Sequence, residues 1–385
     1  MGGAAFLGGL LLLLAACAPG GASAPPPAAP PPAAAQASGA QAPEQAEWDR
    51  LVAAARQEGR VTLFGPPGDQ VRNQLTAGFQ GAYPGIALEL TGGRCSDLTP
   101  KLEAERQAGL YSVDIYLCGT TTANSEIKPL GALQPIPPAL VLPEVKDPGQ
   151  WLGGQIEYSD KEGALNLVFA TTAKMLVAYD PRQVRPEEVD ELPKLLDPKW
   201  KGKIVIGDPL PPGASQVVFR WFWEVLGPAK GTEYIRALRE QAAYVDRDAR
   251  RMIEAVARGR YPILVGPNDA LLQQLKMEGM DVAIVSAFKD YGGVVNASYG
   301  TLMLMDRAPH PSAAVVFANW LLGKDGQTAY SRGMNQASRR LDVPTDHLPP
   351  EARIQPGVTY WPSYTEENSI GSPAFTQLIA DLFNQ

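Results

Sequence analysis

The sequence contains few histidines and cysteines, two residue types that are common in metal centres and catalytic sites. Its 385 residues include only two histidines and three cysteines. His310 and His347 lie far apart and outside any metal-ligand spacing, so no histidine-based metal site is expected. His310 directly precedes Pro311 at the start of an expected helix, which favours a structural role. Gly-x-Ser-x-Gly, P-loop and His-Glu-x-x-His motifs do not occur, and we expect no enzymatic activity, no cofactor and no metal.

Charge and hydrophobicity exclude further classes of protein. The net charge of −7 argues against nucleic acid as a partner. Charged residues make up 19% and hydrophobic residues 45%, which is typical of a folded soluble body. Beyond the N-terminal segment no apolar run approaches 18 residues, so we expect attachment to a membrane only at that end. The length favours two domains.

The N-terminal segment has the pattern of a lipoprotein signal peptide. The apolar run over residues 4–16 is too short to span a bilayer but fits a signal-peptide core. The tetrapeptide LAAC at residues 14–17 resembles a bacterial lipobox, which predicts removal of residues 1–16 and a lipid on Cys17. The pattern departs from the usual one because no Lys or Arg lies between Met1 and Cys17. The alternative is an apolar tail that ends in a cysteine by chance.

A low-complexity segment follows the lipobox. Residues 17–45 are almost all Ala, Pro, Gly, Ser and Gln, a composition that cannot bury a core. We expect a disordered tether that holds a folded body near the outer face of the cytoplasmic membrane.

Cys95 and Cys118 are the other two cysteines. Outside the cytosol they can form a disulfide. Two buried free thiols are the alternative, and a metal pair is disfavoured because no histidine is nearby.

Short apolar strands alternate with helical patterns along the folded part. Strands are predicted at residues 61–64, 86–90, 113–117, 165–169, 175–179, 204–206, 262–265 and 282–285. The alternation predicts an α/β fold with mostly parallel sheets, in which a ligand binds beyond the carboxyl ends of the strands. Residues 299–305 are interpreted as a strand that crosses back, and residues 375–383 as a final helix.

Four stretches together carry a resemblance to a known family. They are WDRLVAAARQEG at residues 48–59, FQGAYPGI at 79–86, LLDPKWKGKI at 195–204, and APHPSAA at 308–314, the last followed by Phe317 and WLL at 320–322. They resemble extracellular solute-binding proteins of the family 1 type, in particular the iron- and phosphonate-related branch that feeds ABC importers.

The resemblance implies a periplasmic-binding-protein-like type II fold, with two lobes joined by two crossing strands. Lobe 1 would contain residues 46–165 and 305–385, and lobe 2 residues 166–304. A small ligand would enter the cleft, the lobes would close, and the closed monomer would dock on an ABC permease.

Candidate ligand-binding residues come from junctions where a strand leads into a helix. Three junctions, at residues 65–69, 118–125 and 211–216, place helix N-termini and small polar groups at the expected cleft. The candidates are Gly68, Asp69, Arg94, Thr120, Thr121, Thr122, Ser215, Asn268, Asp269 and Tyr291. Ordinary caps and turns are the alternative interpretation.

The expected ligand is a small oxyanion-bearing organic solute, such as a phosphonate or a carboxylate, because Arg94 suits an anion. The resemblance also suggests ferric or chelated iron. However, the adjacent tyrosines that ferric-ion members place after the strand at 261–265 are replaced by GPNDA at 266–270. A ligand-binding subunit for a sensor and an anchored hydrolase are less favoured alternatives.

Overall fold

The computed structural model describes residues 43–211 and 213–384. Cys17, the LAAC motif, the predicted signal peptide and most of the predicted tether lie outside these residues. The first helix begins at Pro43, so the last three residues of the predicted tether are helical. None of the helices in the described part of the chain is both long and apolar enough to cross a membrane.

Strands and helices alternate as the sequence predicts. The strands are β1 Arg60–Gly65, β2 Ala87–Gly92, β3 Ile115–Cys118, β4 Leu133–Gln134, β5 Glu157–Tyr158, β6 Leu167–Val168, β7 Ala170–Ala173, β8 Val177–Tyr179, β9 Ile204–Gly207, β10 Ala242–Asp246, β11 Ile263–Val265, β12 Ala283–Val285, β13 Ala287–Phe288, β14 Gly292–Asn296, β15 Thr301–Met305, β16 Ala337–Ser338 and β17 Tyr360–Pro362. The α-helices are α1 Pro43–Glu58, α2 Asp69–Ala82, α3 Cys95–Gln107, α4 Thr120–Thr122, α5 Pro143–Lys146, α6 Ala214–Leu226, α7 Pro228–Gln241, α8 Ala249–Ala257, α9 Asp269–Met277, α10 Pro311–Leu322, α11 Lys324–Met334, α12 Glu366–Ile370 and α13 Pro373–Phe383.

The first sheet has the order β2-β1-β3-β15-β6-β5, with β4 paired to β15. β1 is parallel to β2 and β3, whereas β15 is antiparallel to β3. Apolar residues recur at the helical period in α2, and its Val71, Leu75 and Phe79 are buried in the core that packs on this sheet. Phe79 meets Phe317 of α10 edge-on, with ring centroids 5.1 Å apart. We call the body around this sheet lobe 1.

The second sheet has five strands and repeats the arrangement of the first five positions of the first sheet. Its order is β10-β9-β11-β8-β12, with β9 parallel to β10 and β11, and with β8 antiparallel to its neighbours. β1 and β9 each lie between two parallel neighbours, which are β2 and β3 in the first sheet and β10 and β11 in the second. The antiparallel strands β15 and β8 pair with β3 and β11, and β6 and β12 lie beyond them. Phe219 and Phe222 of α6 lie in the buried core of this second body, which we call lobe 2.

Two antiparallel strands, β7 and β14, connect the lobes in a third small sheet. The expected return crossing at residues 299–305 is therefore displaced: the crossing strand is β14, and β15 belongs to the first sheet. The chain bends between them because Ser298 adopts a positive φ of 33° and Gly300 packs against the backbone of Ala170.

The final helix, α13, packs with lobe 2. Its Phe375, Ile379 and Phe383 lie in the cluster that contains Phe219 and Phe222, not in the core of lobe 1. This contact differs from the expected assignment of residues 305–385 to lobe 1, and the lobe boundaries stay a prediction.

Candidate functional site

The carboxyl ends of β1, β2 and β3 lie at one edge of the first sheet, because the three strands are parallel. There α2 follows β1, α3 follows β2 and α4 follows β3. The first two turns touch, since the Gly93 amide donates to the Gly65 carbonyl oxygen over 3.0 Å. Gly68 precedes α2 with φ 114°, a conformation that favours glycine, and Arg94 precedes α3.

A disulfide joins Cys95, the first residue of α3, to Cys118, the last residue of β3. The sequence allowed this bond without deciding it. The bond ties the turn that contains Arg94 to the turn that leads into Thr120. Both candidate residues are therefore held on neighbouring, covalently linked turns.

Tyr299, from the bend between β14 and β15, lies beside the Arg94 turn. Its hydroxyl is 3.5 Å from the Gly93 carbonyl oxygen. Burial raises the pKa of Tyr299, while the backbone of Cys95 and the charge of Arg94 offset part of that rise. The neighbouring Ser298 carbonyl oxygen would lie 2.7 Å from a side chain placed on Gly119. The candidates predicted from the sequence include Tyr291 and not Tyr299. Tyr299 reaches this edge only through the bend after β14, which the sequence did not predict.

The three threonines at residues 120–122 differ in exposure. Thr120 is buried, Thr122 is half-buried and Thr121 is exposed. They form α4, which passes directly into a π-helical turn at Ala123–Ile127. Such turns are rare and occur often at functional sites. Thr121 is therefore the exposed member of the set, whereas the Thr122 side chain hydrogen-bonds Glu126.

The corresponding edge of the second sheet is closely packed around Ser215. The Ser215 hydroxyl, in the first turn of α6, donates to the Gly266 carbonyl oxygen over 2.7 Å. Gly207, at the end of β9, has no space for a side chain because it faces both Ser215 and Gly266. Ser215 thus ties the first turn of α6 to the turn after β11 and lies against the end of β9, and it is only half-buried.

Asn268 and Asp269 begin α9 and have protein partners. The Asn268 side-chain oxygen accepts from the Leu271 amide over 3.0 Å and caps the helix, as the alternative interpretation expected. Asp269 pairs with Lys174 and accepts from the Met175 amide over 2.8 Å. Lys174 directly follows the crossing strand β7 and is 3% exposed, so this ion pair lies where the first crossing enters lobe 2.

Comparison with known families identifies the chain. The family model for bacterial extracellular solute-binding proteins matches residues 74–353, which is most of the chain. The chain belongs to this family. Solute-binding proteins of this kind serve ABC importers and work outside the cytoplasm, as the sequence motifs indicate. Comparison with curated proteins gives no match.

Solved structures of such proteins resemble this binding protein in fold. A Trichodesmium FutA in complex with iron and citrate is 20% identical, with a TM-score of 0.62 over 85% of this chain and 98% of that one. AfuA from Actinobacillus pleuropneumoniae, with bound fructose-6-phosphate, is 19% identical, with a TM-score of 0.58 over 85% and 99%. An ABC transporter protein from Clostridium perfringens is 14% identical, with a TM-score of 0.64 over 84% and 98%. The predicted two-lobed binding-protein fold is confirmed.

In the binding protein Asp69 lies beside Gly68 at the start of α2, whereas Tyr291 lies apart from the other candidates. The Asp69 side chain is 86% exposed and pairs with Arg72 over 3.0 Å. Tyr291 lies at the start of β14, the opposite end of that strand from Tyr299. It lines a cavity of about 460 Å³ together with Phe288 and Thr359. Their predicted contact with ligand stays untested.

A larger groove of about 640 Å³ lies between β10 and α8, away from the candidate residues. Four arginines line it, but three acids line it too. Arg251 pairs with Asp246, and both Arg250 and Arg258 pair with Glu254. Because the charges nearly balance, we assign no anion site to this groove. Over residues 43–211 and 213–384 no group of three or more His, Cys, Asp or Glu side chains is arranged to hold a metal.

Proposed function

We propose that this binding protein captures a small oxyanion-bearing organic solute between its lobes and delivers it to an ABC permease. The observation that carries the proposal is the grouping of Arg94 and Tyr299 at the carboxyl edge of the first sheet. Arg94 is exposed, and a guanidinium suits a carboxylate or phosphoryl group. The N-terminus of α2 and the hydroxyl of Thr121 lie at the same edge and suit a negatively charged group.

Two of the compared structures support this ligand class. Citrate carries carboxylates and fructose-6-phosphate carries a phosphoryl group, and both are described in proteins of this fold. Lobe closure around the solute would select the form that the permease recognises.

Chelated iron is the second candidate, because the FutA structure holds iron together with citrate. GPNDA at residues 266–270 stands where ferric-ion members of the family place adjacent tyrosines, which disfavours direct binding of free ferric ion. The proposal therefore favours ferric citrate, held through its carboxylates, over free ferric ion.

A thermal-shift panel tests the ligand class. It contains citrate, ferric citrate, phosphate, methylphosphonate and a sugar phosphate, with ferric ion alone, putrescine and glucose for comparison. A ligand at about 100 times its Kd stabilises by about 2.7 kcal/mol, a shift of a few degrees. We expect oxyanions to shift the transition and the comparison compounds to leave it unchanged. A response to putrescine or glucose alone would overturn the proposal.

Arg94→Ala tests the residue assignment by calorimetry with the oxyanion that gives the largest shift. We expect affinity to fall by about tenfold or more, because a hydrogen bond to a charged group is lost. Arg258→Ala is the matched control, since Arg258 is 76% exposed and pairs with Glu254 on α8. Equal affinity of the Arg94→Ala protein and the control would remove Arg94 from the site.

A further inference from the structure

The C-terminal segment contacts both lobes. We call residues 360–383 the C-terminal strap; it consists of β17, α12 and α13. β17 pairs with the crossing strand β14, so the strap starts in the connection between the lobes. From there α12 packs on lobe 1 and α13 on lobe 2.

Polar contacts hold α12 to lobe 1. Glu366 pairs with Lys128 over 2.6 Å and accepts from the Lys161 amide over 2.8 Å. The Asn124 side-chain amide donates to the Ser369 hydroxyl over 3.0 Å. Glu366 and Lys128 are only 14% and 18% exposed, so this anchor is largely shielded from water. Asn124 and Lys128 lie in and just after the π-helical turn that continues from the three threonines.

Aromatic contacts hold α13 to lobe 2. Phe383 meets Phe219 edge-on at 5.5 Å between ring centroids, and Phe375 lies 6.0 Å from Trp223. Phe219 and Trp223 belong to α6, the helix whose first turn contains Ser215. The strap thus connects the helices that begin at two of the predicted ligand-binding junctions.

A short link joins the two anchors. Only five residues separate Ser369 from Phe375, and Gly371 among them has φ 91°. The six Cα–Cα intervals from Ser369 to Phe375 span at most about 20 Å when the chain is fully extended. The lobes therefore cannot move far apart at this point while both anchors hold. The two anchors differ in kind, because polar contacts hold α12 to lobe 1 whereas α13 buries three apolar side chains in lobe 2. Tyr364, just before α12, is also buried beside Val168 of β6.

We propose that the C-terminal strap is a latch between the lobes, which the contacts of Glu366 and Ser369 keep engaged. The crossing strands β7 and β14 alone would permit a range of distances between the lobes. While the strap is engaged, it narrows that range. When the lobe 1 anchor is released, the lobes sample a wider range of separations. This inference rests on the proposed closure of the lobes but not on which solute they hold.

Pulsed electron resonance distances test the latch without any ligand. Spin labels are placed at Gln57→Cys on α1 and Lys230→Cys on α7, both exposed positions, in the full chain with Cys17→Ser. Cys95 and Cys118 are disulfide-bonded and do not react. We expect Glu366→Gln and Ser369→Ala each to broaden the interlobe distance distribution.

Asp306→Asn is the matched control, because Arg106 and Asp306 also pair over 2.6 Å and are 17% and 28% exposed, but both lie in lobe 1. It should lower the melting temperature without changing the distance distribution. If both strap variants lower the melting temperature and keep the wild-type distribution, the strap only stabilises the fold and the latch is excluded. That result would leave the ligand panel unaffected.

Discussion

At the scale of single residues, the same local pattern serves different purposes. Asp69 and Asp269 each begin a helix that follows a parallel strand. Asp69 points into solvent, whereas Asp269 pairs with the buried Lys174, which lies 95 residues away in the sequence. Local sequence cannot separate the two, because the partner is supplied by the crossing strand. Tyr291 and Tyr299 show the same limit, since only the bend after β14 decides which tyrosine reaches Arg94.

Asp269→Asn should destabilise the protein more than Asp69→Asn. The first change leaves the Lys174 charge buried without its partner, and we expect a loss of about 3 kcal/mol in the free energy of unfolding. The second change removes an exposed pair and should cost less than about 1 kcal/mol. Urea unfolding of both variants measures the difference. Equal losses would show that the pair at the crossing contributes little.

At the scale of elements, the first strands and helices of lobe 1 were predictable, whereas α11 and parts of lobe 2 were not. The helical period of Val71, Leu75 and Phe79 and the apolar run of β1 identify their elements without tertiary information. The sequence did not predict α7 and β10. In α7 a glycine interrupts the pattern: Gly231 lies against the backbone of Trp223, where a side chain would come within 2.6 Å. Close helix packing thus requires a residue that weakens the local helix signal.

The disulfide is an element-scale stabiliser that links α3 to β3. Cys95 and Cys118 are 23 residues apart, and closing a loop of that size stabilises a fold by roughly 3 kcal/mol. We expect the Cys95→Ser, Cys118→Ser double variant to lose about that amount in urea unfolding. Dithiothreitol should bring the wild type to the level of the variant and leave the variant unchanged. A wild type that is insensitive to reductant would argue against a structural role for the bond.

At the scale of the whole molecule, the two sheets share one arrangement over five strands although the sequence shows no evident internal repeat. The common order arises from pairings between distant strands, such as β15 with β3 and β8 with β11. Short buried strands tolerate many apolar sequences, so similar topology does not require similar residues. The placement of α13 on lobe 2 is likewise a tertiary result.

Attachment to the membrane is a prediction about the whole molecule, and it rests on Cys17. Expressed in a bacterium that processes lipoproteins, the full chain should partition into detergent, and Cys17→Ser should move it to the aqueous phase. A lipidated cysteine supplies more than one acyl chain, which stable anchoring needs. Mass spectrometry of the N-terminal peptide distinguishes lipidation at Cys17 from adsorption. Equal partitioning of both proteins would contradict the lipobox interpretation.

The sequence by itself determined the family, the α/β class and most junctions between strands and helices. Local periodicity, turn residues and short motifs carry that information over a few residues. Only the tertiary structure decided the disulfide, the crossing strand β14, the pairing of Asp269 with Lys174 and the reach of the C-terminal strap across both lobes. Each of these depends on contacts between residues far apart in the chain, and such contacts leave no local pattern.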